Sequence, residues 1–169
     1  MNKVFGIAGW KNSGKTTLVS SLVAEFTRRG LKVSTIKHAH HNFSIDQPGT
    51  DSFRHRESGA HEVALVSSKR WAIMHENTTD SEEPSLENMI SKLGPCDIIL
   101  VEGYKNSQIN KIESIRHKAI KKTPLWQTHP GIVAVACDQP LENCDKPQFD
   151  LDDIAGIADY IIQISGVQT

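Results

Sequence analysis

The sequence predicts an α/β fold of three layers, with helices on both faces of a mostly parallel sheet and an antiparallel hairpin at its edge. Three observations carry this. Short apolar runs of strand length recur at Val4–Ala8, Leu31–Lys37, Asp97–Glu102 and Ile132–Cys137. Stretches of helical period lie between them. The first strand, the helix after it and the second strand fit a βαβ unit, whose crossover is right-handed.

Each element has its own local reason. Val4–Ala8 is apolar throughout and ends at Gly9, which suits a buried parallel strand. From Lys15 to Arg29 the residues Leu18, Leu22, Val23 and Phe26 share one helical face, and Gly30 is placed to stop the helix. Leu31–Lys37 alternates as a strand does. Residues 38–50 have no period and carry Pro48-Gly49, so they form a loop. Asp51 is positioned to cap a short helix ending at Ser58–Gly59. Glu62–Ser68 and Arg70–Glu76 are paired as the hairpin.

Further on, Ser85–Leu93 is helical in pattern, and Asp97–Glu102 is the most apolar strand. Ile112–Arg116 is a weaker one. His117–Pro130 is basic, contains Pro124 and Pro130, and reads as an exposed loop, with His117–Lys122 a solvated basic face. Ile132–Cys137 is a buried strand, and Asp150–Tyr160 a helix capped by Asp150. Trp10 and Trp71 are expected in the core.

Composition bounds the function. A chain of 169 residues suits one domain, residues 1–169, whose core needs no covalent staple. Nineteen Lys and Arg against twenty Asp and Glu give a net charge of −1, which offers no global attraction to nucleic acid or to an anionic membrane. Cys96, Cys137 and Cys144 are odd in number and lack a C-x-x-C pair, so reduced thiols in a cytoplasmic setting are expected. Neither a signal segment nor an apolar run of membrane-spanning length is expected from the sequence.

The chemistry concentrates at Gly9-Trp10-Lys11-Asn12-Ser13-Gly14-Lys15-Thr16, which satisfies G-x-x-x-x-G-K-[ST] between a buried strand and an amphipathic helix. Gly9 and Gly14 allow backbone angles that turn successive N–H groups inward on an anion. The helix beginning near Lys15 adds the partial positive charge of its N-terminus. Lys15 is placed to reach the β- and γ-phosphates, and the Thr16 hydroxyl to coordinate Mg2+. The motif therefore predicts a P-loop NTPase fold that binds a nucleoside di- or triphosphate.

An acidic partner for the ion is expected at the C-terminal end of a neighbouring parallel strand. Asp97 and Glu102 bracket one such strand and lie roughly 16 Å apart at about 3.3 Å per residue, so only one can face the nucleotide. Glu102 leaves the strand and is the candidate. Base identity is less constrained, because no N-K-x-D occurs. Asp138 follows the strand Ile132–Cys137 and could accept from guanine N1–H and N2–H2; a turn aspartate before Gln139-Pro140 explains it as well.

Three readings compete for the segment Lys37-His38-Ala39-His40-His41 with Asp46 and Asp51 beyond it. Lys37 and protonatable histidines could contact an anionic ligand. The histidines could hold a metal, although their spacing is poor for a structural site. The segment could also be a switch loop with Asp51 in the outer shell of Mg2+.

Taken together, Gly9–Thr17 (GWKNSGKTT), Ile36–His41 (IKHAHH), Pro48–Ser52 (PGTDS), Arg70–Met74 (RWAIM), Leu100–Lys105 (LVEGYK) and Ala134–Asp138 (AVACD) resemble the molybdopterin-guanine dinucleotide biosynthesis protein B family. The resemblance implies a dimeric P-loop GTP-binding protein with weak GTPase activity. Its implied role is that of an adapter beside the MobA-like guanylyltransferase that joins GMP to molybdopterin. Carried onto this chain, it implies GTP contacts at Gly9, Asn12, Ser13, Gly14, Lys15, Thr16 and Thr17, with Lys37, His38 and Asp138 beyond the loop. Mg2+ would be served by Thr16 and Glu102, with Asp51 as a further candidate, and hydrolysis by Lys15 and Glu102. Cys137 stands where the family usually has serine.

Two rivals share the fold. A small-molecule kinase or ATP-dependent ligase would add a lid, for which only residues 38–50 and 117–130 are long enough. A non-enzymatic dimer would use the nucleotide as a switch. No arginine reads as a dedicated finger; Arg54, Arg56 and Arg70 are candidates only after rearrangement.

Overall fold

The computed structural model describes residues 3–39, 43–77, 83–119 and 122–168. Two compact units are present, Met1–His38 with Leu86–Thr169, and Ala39–Ser85.

The larger unit is built on a six-stranded sheet with the order β2-β5-β1-β6-β7-β8. Its strands are β1 (Lys3–Ala8), β2 (Val33–Lys37), β5 (Ile98–Glu102), β6 (Lys111–Ile115), β7 (Ile132–Cys137) and β8 (Gln148–Asp150). Every adjacent pair is parallel. A parallel sheet must be covered on both faces, because its crossover helices lie there. The alternation along β5 shows the two faces directly. Ile98 and Leu100 join Phe5 and Ile7 against Leu18, Leu22 and Phe26 of α1 (Lys15–Arg28) and Ile157 and Ile161 of α4 (Ile154–Ser165). Ile99 and Val101 face the other way, onto Ile36 and onto Leu86 of α3 (Leu86–Lys92). Burial of each such side chain stabilises the fold by about 1.5–3 kcal/mol before chain entropy is counted.

Three features of this unit differ from the sequence expectations. Lys111–Ile115 is a fully buried strand beside β1, not a weak one. Its polar residues are satisfied internally: Glu113 accepts from the backbone N–H groups of Leu125 (2.9 Å) and Trp126 (2.8 Å). That contact draws part of the supposed exposed loop inward, where the 3-10 turn Leu125–Gln127 forms and Leu125 is buried. The basic segment is described only at His117–Ala119 and Lys122. Finally, Asp150 ends a strand and does not cap a helix; α4 starts later, with the Asp153 carboxylate accepting from Gly156 N–H at 3.0 Å.

The smaller unit contains α2 (Asp51–Glu57) and the antiparallel pair β3 (Glu62–Val66) and β4 (Trp71–His75), which forms a two-stranded sheet of its own. Thr50, not Asp51, caps α2, its hydroxyl accepting from Phe53 N–H. Arg56 is tied to Asp46. Val63 and Met74 pair across the strands and are buried. The opposite face carries Val66, Trp71 and Ile73, exposed by 81%, 72% and 55%. Trp71 is thus not a core anchor, because a lone two-stranded sheet has one covered face and one bare one. Among the described residues no helix is long and apolar enough to cross a membrane.

Candidate functional site

β1 runs into the phosphate loop, and α1 leaves it at Lys15. The two loop glycines are required by geometry. Gly9 has φ of 142°, and a methyl group there would stand 2.5 Å from the carbonyl oxygen of Ser114 and 2.5 Å from Ser13 Oγ. Gly14 has φ of 96° and meets the Arg116 side chain in the same way, at 3.1 Å. Asn12 is left-handed at φ of 66°, a conformation asparagine tolerates better than most residues. From the neighbouring strand the Ser114 hydroxyl donates to the Ser13 carbonyl at 2.7 Å and anchors the loop from below.

Lys15 donates to the carbonyl of Trp10 at 2.7 Å, so the lysine lies folded back along its own loop. Burial lowers its pKa below the ordinary lysine value, and nearby Lys105 and Lys37 act in the same direction against Glu102. Trp10 donates through Nε1 to the Thr123 carbonyl (3.0 Å), while Lys105 and Lys122 sit 4.2 and 4.7 Å from its ring centroid. Positive charge accumulates around an N-terminal helix end, an arrangement suited to polyanions.

Glu102 closes β5 next to β1 and is buried. Its Oε1 accepts from the Thr16 hydroxyl at 3.1 Å, and its Oε2 lies 3.6 Å from Lys37 Nζ. Lys15, Thr16, Lys37 and Glu102 therefore meet on the β5 side of the loop. His38 adjoins them: its backbone N–H donates to the Glu102 carbonyl at 2.9 Å, and its ring packs 4.8 Å from that of Tyr104. Thr17 is exposed in the first turn of α1.

Asp138 lies elsewhere, after β7, two strands from β1 on the opposite side. Its Oδ1 accepts from the His117 backbone N–H at 2.9 Å and contacts the His117 ring at 3.0 Å, which holds its pKa below the usual aspartate range. It borders a cavity of about 750 Å3 with Lys11, Asn12, Arg116, Asp150 and Asp152. Asp51 belongs to the smaller unit, exposed in the first turn of α2. His40 and His41 lie outside the described residues, and among those described no group of three or more His, Cys, Asp or Glu side chains forms a metal cage.

Sequence reasoning missed Arg116, Ser114 and Glu113. Lys-Ile-Glu-Ser-Ile is too polar to read as a buried strand, and nothing local shows that the turn at Leu125 and Trp126 covers Glu113. Asp150 and Asp152 were hidden by the helix assigned over them.

The donor set fits Mg2+, a hard ion that takes one or two oxygen side chains and leaves its other positions to phosphate and water. Thr16 Oγ1 and Glu102 Oε1 are such a pair, already adjacent. The buried Ser13 Oγ, which has no hydrogen-bond partner, is an unused polar atom within the same loop.

Comparison with known proteins bears on the family and the fold. Residues 4–138 match the family model described as molybdopterin guanine dinucleotide synthesis protein B. The chain is 37% identical over 165 residues to the molybdopterin-guanine dinucleotide biosynthesis adapter protein of Escherichia coli K12, covering 96% of this chain and 93% of that one. It is 39% identical over 161 residues to the protein of the same description from Haemophilus influenzae, covering 94% and 86%. A crystal structure of a MobB homologue from Bacillus stearothermophilus superposes with a TM-score of 0.72 at 25% identity, covering 98% and 99%.

Proposed function

This chain belongs to the molybdopterin guanine dinucleotide synthesis protein B family, with its adapter role in making that cofactor, and we propose that it acts there as a Mg2+-dependent GTP-binding protein with slow GTPase activity. The observation that carries the proposal is the Thr16 hydroxyl held 3.1 Å from Glu102 at the start of the helix that Lys15 opens. When bound, Mg2+ supplies charge neutralisation between the β- and γ-phosphates. The chain supplies the rest. The loop N–H groups and helix terminus receive the phosphates, while Lys15 exchanges the Trp10 carbonyl for a phosphate oxygen. Glu102, held beside Lys37, orients the Thr16 hydroxyl.

Slow turnover follows from the arginines. Arg56, one of three finger candidates, is engaged by Asp46. The reading includes GTP delivery or handover to a guanylyltransferase acting on molybdopterin, and self-association of the adapter. The bare apolar face of the hairpin supports self-association, since exposed patches of this kind mark interfaces.

The test is binding of GTP and ATP with and without Mg2+, followed by capture with the guanylyltransferase. Tighter binding of GTP, dependent on Mg2+ and lost in Lys15→Ala, is expected. Glu102→Gln is expected to retain nucleotide but to lose most of the Mg2+ dependence. Tighter binding of ATP together with turnover of a small acceptor would favour the kinase reading instead.

A further inference from the structure

The chain reverses directly after Glu102 and brings Lys105 back to the phosphate loop. Two left-handed residues follow one another there, Gly103 at φ of 96° and Tyr104 at φ of 47°. Glycine suits the first position, where a methyl group would stand 2.9 Å from His38 Cβ. A tyrosine rarely adopts the second, and strain of this kind gathers at functional sites. The turn is pinned on both sides. Gly103 N–H donates to the Ile7 carbonyl of β1 at 3.3 Å, and the Ser107 N–H and hydroxyl donate to the Tyr104 carbonyl at 3.0 and 2.8 Å. Lys105 leaves this turn with its ammonium 4.2 Å from the centre of the Trp10 ring.

The charges at that place are not balanced by the chain itself. Lys15, Lys37 and Lys105 share one carboxylate, Glu102, which already contacts Thr16 and Lys37. Among the described residues no carboxylate is paired with Lys105. It stands near enough to act on Lys15: after burial, and against Glu102, Lys105 is the first of the cations that lower the Lys15 pKa. Like charges held this close repel, and an anion that meets both removes the repulsion.

Trp10 says which anion. Lys15 donates to its carbonyl and Lys105 lies on its ring, so the two ammoniums flank one residue of the loop. A phosphate that draws Lys15 from that carbonyl arrives beside Trp10, and Lys105 follows on a flexible four-carbon stem. A charge-assisted hydrogen bond to phosphate outweighs the cation–π contact given up for it. The loop and the helix terminus already surround the inner phosphates. Lys105 shares its strand end with Glu102, at the ion that bridges the β- and γ-phosphates, and so meets the outermost one.

We propose that Lys105 is a ligand of the terminal phosphate and the residue by which this site tells a nucleoside triphosphate from a diphosphate. The proposal rests on the nucleotide-binding reading above and adds the cation that reads the third phosphate.

The test titrates wild type, Lys105→Met and Lys122→Met calorimetrically with GDP and with the β,γ-imido analogue of GTP, each in the presence of Mg2+. Methionine keeps an apolar stem on Trp10 and removes the charge. Lys105→Met is expected to weaken the triphosphate analogue roughly ten- to one-hundred-fold and GDP by less than about threefold. Retained GDP binding also shows that the loop has stayed folded. Lys122 is the control, because its ammonium lies 4.7 Å from the same ring but it precedes Thr123, whose carbonyl Trp10 Nε1 holds. Lys122→Met is expected to keep the wild-type ratio of the two affinities. An equal loss for both nucleotides in Lys105→Met would make Lys105 part of the general field of the site. The same selective loss in Lys122→Met would assign the effect to the basic patch, and no loss in Lys105→Met would make the residue packing on Trp10. Each of these overturns the proposal while leaving nucleotide binding intact. Failure of the wild-type chain to bind either probe sinks the nucleotide reading itself, and the terminal-phosphate ligand with it.

Discussion

In the proposed function phosphate binding turns on Lys15, and its surroundings work against its charge. Burial, followed by Lys105 and Lys37, depresses its pKa below 10.5, and Glu102 opposes them. Only the protonated form holds phosphate, so affinity is present at low pH and is lost as pH rises through the folded value. A titration of GTP binding should therefore place the alkaline midpoint below the ordinary lysine value. A midpoint at or above that value would mean the ammonium is not desolvated. Ser114 makes a complementary prediction. Its hydroxyl anchors the Ser13 carbonyl in a buried bond, so Ser114→Ala should cost about 1 kcal/mol or more and weaken GTP binding through loop disorder. Equal affinity and equal melting temperature in the variant would remove Ser114 from the site. The loop residues were legible because glycine, lysine and threonine at fixed spacing follow from the geometry of phosphate binding. Arg116 was not, because its position depends on which strand lies next to β1.

At the scale of elements, β6 shows most clearly how neighbours override local pattern. Lys111, Glu113 and Ser114 are all buried, and each reaches a backbone partner: Lys111 meets the Ser107 and Ile109 carbonyls, Glu113 meets two N–H groups, and Ser114 meets the phosphate loop. Glu113→Ala should release the turn at Leu125 and Trp126 and destabilise the protein by about 2–3 kcal/mol. Thermal unfolding checks this, and a shift near zero would show that the turn holds itself. The helix α4 teaches a related lesson. Asp150, Asp152 and Asp153 are all chemically able to cap, but Asp150 is held in β8 beside β7 and accepts from Asp152 N–H, which leaves the cap to Asp153. Asp153→Ala should cost about 0.5–2 kcal/mol, and Asp150→Ala should leave the helix start in place. Amide exchange along α4 distinguishes the two.

At the scale of the whole molecule, the hairpin of the smaller unit leaves one apolar face bare. Val66, Trp71 and Ile73 share its bare face, and a second copy of the chain is the partner proposed for it. Trp71→Lys should therefore lower the solution mass from dimer to monomer without unfolding the larger unit. A monomeric wild type, or an unaltered dimer in the variant, would refute that assignment. By itself the sequence determined the α/β class, most of the elements, the G-x-x-x-x-G-K-[ST] motif between strand and helix and the carboxylate at the end of β5, because hydrophobic period and motif spacing are local properties of the chain. Only the tertiary structure decided the strand order β2-β5-β1-β6-β7-β8. That order sets Glu102 and Arg116 on opposite sides of one loop and places β6, with its polar side chains, inside the sheet. The physical reason is that burial and contact depend on which strands lie side by side, and residues distant along the chain become neighbours only when the sheet has formed.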